Sequence, residues 1–235
     1  TAPQDLERQR AAQELLGRLV SPVIGMRYET CTLCGGLPAE WVRLECGHDP
    51  HHVILYCHGG GYTSGQLGYA LILAAKLAQH TGCDVLAFEY RLAPEHPYPA
   101  AIEDAQTAWD ALMHQGVGAR DVIVAGDSAG GNLALELTLS LRAQGRILPR
   151  ALVLMSPWTD LTGSGKSYRD NVDIDPMLTL DYITSVRDAY TAGDTAWEKP
   201  CYSPLFADLA GLPPTLVQVG THEILRSDSE LLYKK

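Results

Sequence analysis

The chain has 235 residues, 46% of them hydrophobic, with 28 acidic against 18 basic side chains and a formal charge of −10. That length suits one fully cored α/β domain, and the acidic balance without a basic stripe argues against a nucleic-acid partner and against anionic surfaces. The longest apolar run, Ala70-Leu71-Ile72-Leu73-Ala74-Ala75, stops at Lys76, far short of the roughly 20 residues that span a bilayer, so no stable membrane insertion is expected.

From the N-terminus, Pro3 to Val20 places Leu6, Ala12, Leu15, Leu16 and Leu19 near helical spacing. Asp5 and Glu7 suit a first turn, and Ser21-Pro22 closes the helix. It either packs on the core or forms part of a lid. The first residues lack the charged segment, apolar core and cleavage site of a secretory signal. Residues 28–46 alternate in short runs that predict two antiparallel strands, clearest at Glu40-Trp41-Val42-Arg43-Leu44-Glu45. Cys31-x-x-Cys34 with Cys46-x-His48 offers four soft ligands for zinc, but the second pair departs from paired-knuckle spacing. Edge strands that happen to carry cysteines are the simpler reading, with no metal. Six cysteines in a domain this large are not a disulfide framework, and a reducing cytoplasm fits them.

The pattern then changes. Residues 53–57, 85–88, 122–125, 151–155 and 216–219 are near-continuous apolar runs, as in strands of a parallel sheet covered on both faces. Leu67 to His80, Ala100 to Gln115 and Ser128 to Gln144 are long enough for the crossover helices between them. This alternation predicts an α/β domain with a mostly parallel central sheet flanked by helices. Leu161 to Ala210 breaks the rhythm, with a helix predicted over Thr179 to Thr191; so long a segment between buried strands reads as an insertion over the active face.

Two glycine-rich segments carry the chemistry. Gly126-x-Ser128-x-Gly130 follows a strand-like run and opens an apolar helix, the setting of a nucleophile elbow in which a tight turn exposes the serine. His58-Gly59-Gly60-Gly61 follows another strand. Glycines there bring backbone N–H groups close to a tetrahedral oxyanion, and Gly60, Gly61 and Ala129 are the expected donors. A phosphate cradle is the rival reading, but no Gly-x-x-x-x-Gly-Lys-Ser/Thr pattern is present. For the acid, Glu223 lies just beyond the run 216–219, with Asp228 as the alternative. Tyr62, Trp158, Met177 and Phe206 could line a pocket or pack in core and lid.

His58 to Gly61, Tyr90-Arg91-Leu92-Ala93-Pro94-Glu95, Gly126 to Gly131 and Ser156-Pro157-Trp158-Thr159-Asp160 together resemble, in order, the sequence blocks of the hormone-sensitive lipase family of α/β-hydrolases. The resemblance covers the chain from about Trp41 onward. It implies one α/β-hydrolase domain over 1–235 with helical cap elements at about 1–27 and 161–210. It also implies an esterase for short- to medium-chain carboxylic esters, with a small-molecule ester as partner and no cofactor; a homodimer is left open. Tyr90 to Glu95 and Asp104 would brace the active-site loops. The family more often has Asp than Glu at the acid position, and either can orient an imidazole. Its base histidine lies one strand beyond the acid, and none of the eight histidines here stands in that position. That final strand and histidine segment are therefore expected outside residues 1–235. The alternatives are a catalytically silent hydrolase-like receptor for a small ligand and an amide deacetylase.

Overall fold

The computed structural model describes residues 3–19 and 23–235. Val20 and the Ser21-Pro22 stop of the first predicted helix lie outside the described residues. Within them, α1 (Pro3–Leu19) forms as expected.

Among the described residues, seven strands form one sheet. β1 (Met26–Thr32) and β2 (Pro38–Leu44) are the antiparallel pair expected from the alternating run. β3 (Asp49–Cys57), β4 (Cys83–Phe88), β5 (Val122–Asp127), β6 (Ala151–Met155) and β7 (Thr215–Gln218) are parallel, and β4 joins β2 antiparallel. The spatial order is β1-β2-β4-β3-β5-β6-β7. β5 is thus flanked by β3 and β6, so the turn at its C-terminal end faces loops from both neighbours.

The apolar runs form strands because helices cover both faces. α2 (Leu67–Thr81) lays Ala70, Ala74, Ala75 and Ala78 on Ile54, Tyr56, Val85 and Ala87. These short side chains let the helix axis lie close to the sheet. On the opposite face α3 (Ala100–His114) and α4 (Ala129–Ala143) bury Trp109, Leu112, Leu133, Leu137 and Leu141 against Leu55, Val122, Val124 and Leu152. The 161–210 insertion holds the short α5 (Ser167–Asp170) and α6 (Leu180–Thr191), whose Thr179 cap accepts a hydrogen bond from Tyr182 N. α7 (Arg226–Lys234) ends the chain. β7 is the last strand of this order among the described residues, and unlike the two-faced burial expected of its apolar run, Leu216 is 60% exposed. No helix among the described residues is long and apolar enough to cross a membrane.

Candidate active site

The site starts where β5 meets α4. The sequence predicts a helix from Ser128, but the helix begins at Ala129 because Ser128 itself has φ 53° and ψ −120°. A positive φ at a non-glycine residue carries about 1–3 kcal/mol of strain and persists only where the surroundings hold it. Here they do: Ser128 N donates to Met155 O at 2.9 Å, and Ser128 O accepts from Gly131, Asn132 and Trp158 at 3.0–3.2 Å. Gly130 is required by close approach, since a Cβ would lie 2.0 Å from the Cys57 carbonyl oxygen and 2.5 Å from that of His58. The elbow is thereby pressed against the start of the second glycine segment.

That segment is anchored from below. Asp127 Oδ1 accepts from Gly59 N at 2.9 Å and from the Tyr56 hydroxyl at 2.6 Å. Burial raises this carboxyl above its usual range while those two donors pull it back. Gly60 has φ +123°, and a Cβ there would meet Ser64 O at 2.3 Å. Its carbonyl is occupied by Thr63 N and Ser64 N at 3.1 and 3.0 Å. Among the described residues, the N–H groups of Gly60, Gly61 and Ala129 donate to no protein acceptor, although Gly61 and Ala129 are buried. Unpaired buried N–H groups are rare, each carrying about 1–3 kcal/mol of desolvation penalty, and call for a ligand or a function.

His58 is buried, stacked on Tyr90 at 4.1 Å, with Nδ1 2.8 Å from Gly59 O. Burial lowers it to about 4. It is a neutral structural group, not a base. Tyr90 in turn donates to His58 O at 2.7 Å, and Arg91 is held through its N–H and guanidinium by Asp104 at 2.7–3.0 Å. The 90–95 turn and Asp104 therefore brace the loop, as the resemblance implies.

Of the two acid candidates, the structure places them differently. Glu223 Oε1 accepts from Ser156 Oγ at 2.9 Å and from Gly220 N at 2.7 Å. Asp228 is fully buried, and its Oδ2 accepts from Thr159 N and Asp160 N at 2.8 and 2.9 Å. Burial pushes Asp228 well above the usual carboxylate range while the two amides pull it back, and through them it holds the 156–160 loop. His222 is exposed, and among the described residues no histidine hydrogen-bonds to Ser128 or Glu223.

Of the four pocket candidates, Trp158 borders Ser128 among the described residues, in a space of about 10 Å³ shared with Leu178, Tyr182, Ile183, Val186 and Leu225. That volume is enough for about one water-sized group. Tyr62 turns inward and stacks on Tyr190 at 3.9 Å, whereas Met177 is 84% and Phe206 40% exposed. Cys31, Cys34 and Cys46 are free, and no metal-ligand cluster gathers among the described residues. Two polar residues escaped the sequence reading. Ser156, at φ 46°, grips Glu223. Asn132 donates to Trp158 O and Tyr202 O at 2.7 and 2.9 Å and accepts from Tyr62 at 2.8 Å. Its position right after Gly130-Gly131 was the one available signal.

A family model for the alpha/beta hydrolase fold matches residues 54–235. An esterase of Acinetobacter venetianus is 43% identical over 183 residues, covering 78% of this chain and 60% of that protein. An acetyl-hydrolase of Streptomyces hygroscopicus is 38% identical over 221 residues, covering 94% of this chain and 71% of that protein. A crystal structure of an esterase from the bacterial hormone-sensitive lipase family superposes with TM-score 0.92 at 36% identity, covering 97% of this chain and 76% of that one. This chain is an α/β hydrolase. Within that fold it belongs to the hormone-sensitive lipase family, and it spans 60% of the length of the Acinetobacter relative.

Proposed function

We propose that the protein is a serine carboxylesterase acting on small carboxylic esters, with Ser128 as nucleophile. The observation that carries this reading is the strained Ser128, which heads α4 and shares a small space with Gly61, together with N–H groups of Gly60, Gly61 and Ala129 that find no acceptor among the described residues. Such donors are aimed at charge that appears only in the transition state, and losing one typically costs 10²–10³-fold in rate.

In the mechanism, an imidazole takes the proton from Ser128 Oγ as that oxygen attacks the ester carbonyl carbon. The three amides hold the resulting oxyanion, and the imidazolium returns the proton to the departing alcohol. Water, deprotonated by the same imidazole, then releases the carboxylic acid and frees Ser128. Glu223, fixed by Ser156 and Gly220, is the carboxylate that orients the imidazole. Its partner is a histidine that the family resemblance puts one strand beyond the acid. The relatives named esterase and acetyl-hydrolase support the ester as substrate. Six free cysteines fit a reducing, cytoplasmic setting.

The test is hydrolysis of p-nitrophenyl acetate by the natural-length protein, with Ser128→Ala expected to lower kcat by about 10⁴–10⁶-fold. A phosphonate inhibitor should add its mass at Ser128 alone. Turnover that survives Ser128→Ala would refute the assignment.

A further inference from the structure

We propose that α1 braces the oxyanion loop from outside, with Arg10 and Gln13 as positioning residues for the hydrolysis; the catalytic part of this rests on the esterase reading above. Asp127 fixes one end of the loop at Gly59, which leaves the orientation of the peptide planes after Gly61 to other contacts. Those contacts come from α1. Arg10 Nε donates to Thr63 O at 2.7 Å, and Nη2 donates to Ala93 O at 3.0 Å. The same guanidinium meets both carboxylate oxygens of Glu95 at 2.8 Å. One turn further along α1, Gln13 Oε1 accepts from Gly65 N at 2.8 Å.

The circuit closes on the loop itself. Ala93 N donates to Tyr62 O at 2.8 Å, and Thr63 N and Ser64 N donate to Gly60 O. The carbonyl of Gly60 is thus tied within the turn, that of Tyr62 to Ala93, and that of Thr63 directly to Arg10. Rotation of the Gly60–Gly61 peptide plane, which carries the Gly61 N–H, would break the bonds to Gly60 O. The planar guanidinium is the right group for this, because its donors diverge in a fixed fork to two carbonyls and a carboxylate together, which an ammonium cannot reproduce. On the cap side the Tyr182 hydroxyl faces both Gln9 of α1 and Ser64 of the loop, so cap, first helix and loop meet at one place. A lid that merely shaped the mouth would need none of these bonds to loop backbone.

The experiment compares Arg10→Ala, Gln13→Met and Gln13→Glu in the natural-length protein, by p-nitrophenyl acetate kinetics and by amide hydrogen exchange. Arg10→Ala and Gln13→Met should lower kcat by about 10- to 100-fold with KM held within about twofold, the scale of a small misplacement of reacting groups. Gln13→Glu keeps an acceptor oxygen for Gly65 and should recover most of the rate. Exchange at Thr63, Ser64 and Ala93 should quicken in the first two variants, while amides of β5 and α4 stay as they are. A raised KM at unchanged kcat, or unaltered exchange at those three amides, would overturn the brace. If the wild-type protein hydrolyses no ester, the exchange result decides the brace alone and the esterase reading falls separately. Should Arg10→Ala fail to fold, the Gln13 pair carries the comparison.

Discussion

Glu136 gives a sharp test of how burial acts in this fold. It stands on α4 one turn beyond Asn132, with Oε1 enclosed and without a hydrogen-bond partner. The ionisable groups facing it are Tyr62, Tyr98, Tyr190 and Cys201, none of them a cation. Burial therefore pushes its carboxyl up from 4.5 to about 8. Between those values the folded chain holds a proton that the unfolded chain has lost, so stability falls as pH rises through that window and levels off above about 8. At 1.36 kcal/mol per pKa unit, the part of the loss between pH 6 and pH 9 is about 2–3 kcal/mol. Glu136→Gln removes the titration while keeping the shape. Urea unfolding of both proteins at pH 6 and pH 9 should show the variant gaining about 2–3 kcal/mol relative to wild type on the alkaline side, or roughly 5–10 °C in Tm. Parallel pH profiles for the two proteins would mean that Glu136 finds a partner or solvent in solution, and the argument would fail.

Three further outcomes follow from the site. Glu223→Gln should lower kcat by about 10³–10⁴-fold, as loss of the orienting carboxylate does in other triads, whereas Asp228→Asn, which keeps an acceptor for Thr159 and Asp160, should retain most of the rate; the reverse ranking would exchange their roles. Val186→Ala enlarges the roughly water-sized space beside Ser128 and should raise kcat/KM for butyrate over acetate esters by about tenfold, since one methylene of fit is worth 10-fold or more, measured across a p-nitrophenyl ester series. Gly130→Ala drives a Cβ into the Cys57 carbonyl and should destabilise by more than about 3 kcal/mol, read by chemical denaturation with activity lost in parallel.

Much of this architecture is legible in the residues themselves. The runs at 53–57, 85–88, 122–125 and 151–155 declare strands buried on both faces, and the structure has β3, β4, β5 and β6 there. Strand order is not legible, because a run such as Val85-Leu86-Ala87-Phe88 says that it is covered, not which neighbours flank it; β4 lies between β2 and β3. Ser128 stands out because its turn needs glycine at fixed offsets. The two carboxylates after β7 do not separate by sequence, since both read simply as a carboxylate beyond an apolar run. Only the partners distinguish them: a serine hydroxyl for Glu223, two backbone amides for Asp228. Aromatic type likewise does not fix direction: Tyr62 stacks inward on Tyr190, while Trp158 borders the space beside Ser128.

The contacts of α1 were the least legible, and for a physical reason. Arg10 meets Thr63 and Ala93 through carbonyl oxygens that every residue possesses, at separations of 53 and 83 residues. No residue type at 63 or 93 encodes such a bond, and the helical spacing of Leu6, Leu15 and Leu16 draws attention to the apolar positions instead. Yet Leu15 and Leu16 are 56% and 47% exposed, while Arg10 is 21% exposed and fully engaged. The polar side of the helix, not its leucines, makes the directional contacts with the loop that follows the triple-glycine segment. A substitution such as Leu15→Ala should accordingly leave loop exchange at Thr63 and Ser64 unchanged, where Arg10→Ala quickens it.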